Sequence, residues 1–231
     1  MKKIIVFATL ALSISLSTAV SISAQTIVNP SFEVGPGGFV NGYVESVTGA
    51  GITGWTVDSG NVDFIGIWWD ASVGGKSVDL NGNTPGQISQ TLSLIKGLTY
   101  QVSFDMSGNP DGLKWGGDPD FLKVVSVTAA GNDSQLYEYL VSKPEHEDML
   151  WVAHTYTFKA KDDSTVLTFA SNTPGPFGPV LDNVTITALT GQICHKNSGS
   201  QEQKTLIVGV SAVAAHLANH GDYPGPCTPG Q

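Results

Sequence analysis

Leu98-Thr99-Tyr100-Gln101-Val102-Ser103-Phe104 sets a large apolar residue at every second position, and Gly108-Asn109-Pro110-Asp111-Gly112 follows it as a stop signal. A period of two is the signature of a half-buried strand, one face in a core and the other in water. The pattern recurs outward from this stretch. Ile88 to Leu92 lies before it, and Phe121 to Val127, Trp151 to Phe158, Thr165 to Phe169 and Val180 to Ile186 lie after it. Between these runs stand Gly82-Asn83-Thr84-Pro85-Gly86, Ala130-Gly131-Asn132-Asp133 and Asn172-Thr173-Pro174-Gly175-Pro176. Such residues favour turns and positive φ. No amphipathic helix of useful length precedes residue 205. About ten short strands at this spacing predict an all-β fold, an antiparallel β-sandwich of the jelly-roll type.

The N-terminus is basic at Lys2 and Lys3, apolar from Ile4 to Leu16, and small-residue-rich up to Ala24. That order predicts a secretory signal peptide over 1–24, cleaved after Ala24 or alternatively after Ala19. It places the protein outside the cell or on its surface. Loss of Lys2 and Lys3 takes the net charge from −9 to −11, and the 231 residues contain no Arg. An acidic surface without Arg repels polyanions, which argues against nucleic acid and anionic membranes as partners. Neutral sugars and divalent cations fit better. No second segment is apolar over a membrane-spanning length, so no membrane insertion is expected.

Two acids bracket the strand-rich region, Glu33 in Asn29-Pro30-Ser31-Phe32-Glu33 and Asp182 in Leu181-Asp182-Asn183-Val184-Thr185-Ile186. If the first and last strands pair, both carboxylates can converge on one Ca²⁺, with turn carbonyls near Gly75 and Lys76 completing an oxygen shell. Such an ion is structural. The other reading makes Glu33 a turn cap and Asp182 a solvated strand-edge residue.

Aromatic rings with short polar neighbours are the elements of a sugar site, because a flat C–H face stacks on a ring while carboxylates and amides hold the hydroxyls. Trp68 and Trp69 beside Asp70, and Trp115 in the 111–120 loop, carry that combination, with Asp79, Asn81, Asn109 and Asp111 as the polar candidates. If Trp68 and Trp69 are extended, only one can face a given groove. A Trp in a sandwich is also a common core residue. His146 and His154 read as surface or groove-edge residues. No Gly-x-Ser-x-Gly, His-Glu-x-x-His or phosphate-cradling motif occurs, so no enzyme is expected.

After Ala188 the composition changes, which divides the chain into a sandwich over 25–189 and a small module over 190–231. The module holds a strand candidate (Thr205 to Val208) and a helix candidate (Ser211 to Ala218, with Ser211 as N-cap). It also holds both cysteines. In an exported protein Cys194 and Cys227 are expected to pair, closing a loop worth about 3–4 kcal/mol in the chain-entropy model. His195, His216, His220 and Asp222 form a second candidate set, for Zn²⁺, since His216 and His220 share one helix face. The disulfide and the metal do not exclude each other.

Together with Gly54-Trp55-Thr56-Val57, Gly60 to Gly66, Ser77 to Gly82 and Ser89-Gln90-Thr91, the phrases quoted above resemble the choice-of-anchor C family of secreted bacterial proteins over residues 27–187. They also resemble related plant cell-wall proteins that carry a domain of unknown function. The resemblance implies a galactose-binding-like jelly roll, similar to some carbohydrate-binding modules, with Glu33 and Asp182 holding Ca²⁺. The Cys/His module replaces the anchoring signal usual in that family. The expected function is a secreted, non-catalytic module for cell-wall or extracellular polysaccharide. The alternative is a matrix or adhesion protein that binds protein partners, with residues 190–231 setting its placement.

Overall fold

The computed structural model describes residues 26–115, 121–143, 145–196, 202–219 and 221–228. The expected signal peptide therefore lies outside the described residues, as does His220. In chain order the elements are β1 (Tyr43–Gly49), β2 (Thr56–Ile65), β3 (Ser77–Asp79), β4 (Gln87–Ser93), β5 (Leu98–Gly108), α1 (Asp111–Trp115), β6 (Leu122–Ala129), β7 (Gln135–Leu140), β8 (Val152–Lys159), β9 (Ser164–Ser171), β10 (Pro179–Lys196), β11 (Gln203–Gly209), α2 (Val210–Asn219) and β12 (Tyr223–Pro224). Every strand pairing is antiparallel.

The six runs read as strands all form strands. β5 buries Leu98, Tyr100, Val102, Phe104 and Met106 and turns the residues between them outward. One hydrogen-bonded path runs β7-β6-β9-β4-β2-β3-β10-β5-β8. It folds over on itself. Phe104 of β5 meets Phe169 of β9 at 5.2 Å and Tyr137 of β7 at 5.1 Å, both edge to face, so distant parts of the path face each other across one core. The result is an antiparallel β-sandwich, closed on the apolar residues that alternation placed inside.

Asn29 to Glu33 departs from expectation. It forms a turn, not a first strand. Asn29 and Phe32 sit at φ of 54° and 55°, and Pro30 has no N–H, so the phrase cannot join a pleated ladder. It docks on β10, where the Val184 N–H donates to the Pro30 carbonyl at 2.7 Å. The Asn29 side chain ties the turn to its surroundings, bonding both the N–H and the carbonyl of Val34 and the carbonyl of Thr53. Phe32 is fully buried and packs on Trp55, whose rings lie 5.3 Å away and whose Nε1 donates to the Asn29 carbonyl. Trp55→Ala would open a cavity under this turn and remove one of the two donors to that carbonyl, leaving the Phe32 N–H. The expected loss is about 3–5 kcal/mol, read as a fall in melting temperature of roughly 10 °C.

The compositional change at Ala188 is no break in the backbone. β10 continues across 189/190, pairing with β5 as far as Gly191 and with β11 from Thr190 to Lys196. The C-terminal segment matches the expected strand and helix, and Ile193 and Val213 join the main apolar core. Ser211, read as the N-cap, lies inside α2, because β11 runs directly into the helix without a linker residue. Cys194 and Cys227 are disulfide-bonded.

Candidate functional site

At one end of the sandwich an open groove of about 230 Å³ is lined by Tyr43, Glu45, Asp63, Trp68, Trp69, Asn83, Asn109 and Asp111, among others. Tyr43 and Glu45 come from β1, and Asp63 from β2 opposite Asp79 of β3. Trp68 and Trp69 follow β2, where the chain bends instead of pleating. Both rings therefore line the groove, which an extended chain would not allow. Trp69 is buried and donates to Ser77 Oγ at 3.0 Å. Trp68 is half-buried and leans on Tyr43 at 5.5 Å and on His146 at 4.9 Å. Its Nε1 donates to Asp111 Oδ2 at 2.9 Å, while Asp111 Oδ1 lies 2.6 Å from His146 Nε2.

Beneath the groove is a buried polar chain. Asp111 N–H donates to Asn109 Oδ1 (2.8 Å), Asn109 Nδ2 to Asp79 Oδ2 (2.7 Å), and Asn81 N–H to Asp79 Oδ1 (2.8 Å). Asn81 Nδ2 reaches the carbonyls of Thr173 and Gly175, which pins the 173–178 loop over the site. Gly178 permits that approach. A Cβ there would stand 2.5 Å from both Asn81 Oδ1 and Asp79 Oδ1. Burial pushes the Asp79 carboxyl well above its usual range, although its bonds to Asn81 and Asn109 and the nearby Lys123 work against the rise. Asp63 is pushed up to about 6 by burial, with the Ser46 N–H opposing and Glu45 adding to the effect.

Of the expected ligand residues, Trp68, Trp69, Asn109 and Asp111 line the groove. Asp79 and Asn81 are fully buried below it and position the others. Trp115 stands apart, at the end of the short helix α1 and 68% exposed. Tyr43, Glu45, Asp63 and His146 complete the site and were not read as ligand residues. For Asp63 a signal existed, since an acid between the buried Val62 and Phe64 of a strand must point away from the core. His146 was read as a surface or groove-edge residue, and only the fold brings it to Trp68 and Asp111.

Glu33 and Asp182 do meet on one segment, residues 72–76. Glu33 Oε1 accepts from the N–H groups of Gly75 and Lys76, its Oε2 is 3.5 Å from Lys76 Nζ, and Asp182 Oδ2 accepts from the Val73 N–H. Gly75 and Lys76 thus present donors to Glu33, where carbonyls were expected. Glu33 acts as the turn cap of the other reading. Asp182 is not a solvated edge residue. It is fully buried opposite Asp105 in the β5–β10 ladder. Burial raises its carboxyl to about 7, against three backbone N–H bonds that lower it and with Asp105 raising it further. Asp105 accepts from Ser72 Oγ and Asn183 Nδ2. The donor set is all oxygen, as Ca²⁺ requires, and a cation here would relieve the buried Asp182 carboxylate and the half-buried Asp105 opposite it. In the C-terminal segment His195, His216 and Asp222 are brought together.

The fold and groove define an all-β antiparallel sandwich with a polar, ring-lined site. More particularly, the chain belongs to the family described as Protein of unknown function (DUF642), whose model matches residues 25–187. Halomucin of Haloquadratum walsbyi (strain DSM 16790 / HBSQ001) is 32% identical over 178 residues, which is 72% of this chain and 2% of that protein. Among solved structures, TmCBM61 in complex with β-1,4-galactotriose is 15% identical, covering 69% of this chain and 95% of that one, with a TM-score of 0.42. The CBM22-1 xylan-binding domain of Paenibacillus barcinonensis Xyn10C is 18% identical, covering 66% and 96%, with a TM-score of 0.39.

Proposed function

We propose that this protein is an exported, non-catalytic module that binds a short segment of a neutral polysaccharide in the groove at Trp68. The observation that carries this reading is that Tyr43 and Trp68 line the same opening as the carboxylates of Glu45, Asp63 and Asp111 and the amides of Asn83 and Asn109. A ring face takes the C–H face of a sugar, and carboxylates and amides take its hydroxyls in charge-assisted or neutral hydrogen bonds. The acids disfavour uronates and sulfated sugars by like-charge repulsion. Trp68 is held in place by Asp111 and His146 before any ligand arrives, which lowers the ordering cost of binding. Export, as the N-terminal 24 residues and the choice-of-anchor C resemblance imply, brings the groove to such polysaccharides.

The test is affinity electrophoresis and calorimetry of the purified mature chain, in Ca²⁺, against neutral and acidic polysaccharides. Retardation by at least one neutral polymer, with no new reducing ends released, is the expected result. Failure to bind any of them sinks the binding reading, and cleavage of a bound one sinks the non-catalytic reading.

The same proposal assigns a structural Ca²⁺ to Glu33 and Asp182, with Asp105 beside them. The fully buried Asp182, opposite the half-buried Asp105 in the ladder, supports it. Chelation should then lower the melting temperature of the wild type and leave Glu33→Ala unaffected. Equal melting of the wild type with and without chelator would leave Glu33 as a turn cap alone.

A further inference from the structure

We propose that the C-terminal segment binds a divalent transition-metal ion through His195, His216 and Asp222, with Zn²⁺ as the ion of matching chemistry. These residues come from three different elements. His195 lies near the end of β10, His216 in α2, and Asp222 just before β12. Gly221, at φ 64°, turns the chain after α2 so that Asp222 points back at the helix. The Asp222 side chain is completely buried, with Oδ2 lying 3.0 Å from His195 Nδ1 and 2.8 Å from His216 Nδ1. Its Oδ1 accepts from the Lys196 N–H at 2.8 Å, which fixes the carboxylate plane. The two imidazoles meet edge to face with centroids 5.5 Å apart.

One donor atom from each residue lies within 4.8 Å of the others. In a tetrahedral zinc site with bonds of about 2.0–2.2 Å, neighbouring ligand atoms stand about 3.3 Å apart. The two contacts to Asp222 are a few tenths of an ångström shorter, so an ion enters by small side-chain shifts. Two imidazole nitrogens and one carboxylate oxygen suit zinc-like ions, in contrast to the all-oxygen set at Asp182. The segment also has reason to use a cross-link. Among its described residues it supplies Ile193 and Val213 to the buried core but few other buried apolar side chains. The disulfide ties β10 to the stretch after β12, and the ion would tie β10 to α2.

The test uses the full mature chain, stripped with chelator and titrated with Zn²⁺ by calorimetry and with Co²⁺ by visible absorption. The expected result is one ion per chain, with Co²⁺ bands of tetrahedral intensity. His216→Ala and His195→Gln should each weaken binding at least 100-fold, while Glu138→Gln, at an exposed acid of β7, leaves it unchanged. A wild type that takes up no stoichiometric ion overturns the proposal and leaves a hydrogen-bonded His-Asp-His cluster. Binding by both histidine variants as tight as that of the wild type also overturns it, because the ion would then sit elsewhere.

Discussion

Trp68→Ala should weaken binding of the polysaccharide about 30- to 140-fold while leaving the sandwich folded. The substitution removes the largest ring face open to the groove, and aromatic anchors of this kind carry about 2–3 kcal/mol, with 1.4 kcal/mol for each factor of ten. It also frees Asp111 Oδ2, which Trp68 Nε1 now holds at 2.9 Å. Stability should change much less than affinity, because the ring is only half-buried. Trp68→Phe keeps a stacking face and loses the hydrogen bond, so it should fall between the wild type and the alanine variant. Calorimetry on all three proteins with one polysaccharide decides the matter. Equal affinity of Trp68→Ala and the wild type would move the binding site away from this groove.

In metal-free buffer the protein should lose stability as the pH rises from 5 to 8. Three acids whose carboxyls burial raises, two fully buried and one partly, set the sign. Asp79 is raised well above its usual range, Asp182 to about 7 and Asp63 to about 6. Each therefore holds its proton more tightly folded than unfolded, so its contribution is complete below about pH 4 and is lost as the pH rises through the folded value. For Asp182, a change from 3.8 to about 7 corresponds to at most about 4 kcal/mol, since one pH unit is worth about 1.4 kcal/mol. Asp63 adds less, because it is only partly buried. Asp222 runs the other way. Burial alone would raise it, but bonds from His195, the Lys196 N–H and His216 hold it below the usual range, and its contribution persists until the pH falls through that value. The net expectation in chelator is a fall in melting temperature of roughly 10 °C between pH 5 and pH 8. A melting temperature that is level or rising over that interval would mean that the buried carboxyls ionise at ordinary cost.

β5 and the five other clear runs were legible from alternation alone, and the turn phrases between them mark their limits. The C-terminal helix and the disulfide were legible too, the second from two cysteines in an exported chain. The opening phrase was not. Asn29 and Phe32 take left-handed conformations in a turn fastened by Trp55 and by Val184 of β10, neither of which is near them in the chain. The ligand residues divide in the same way. Asp79, Asn81, Asn109 and Asp111 were recognisable as polar ligand candidates, but nothing local distinguishes those that face the groove from those that support it below.

An all-β sandwich was written in the chain because strand periodicity and turn chemistry act over a few neighbouring residues, and each neighbour is visible in the sequence. The groove was decided by the closure of the two layers. Trp68 meets Asp111 across 43 residues, His146 meets Asp111 across 35, and Asp182 meets Val73 across 109. Those contacts follow from strand order and register, which depend on how the whole core packs, and no single stretch of the chain specifies them.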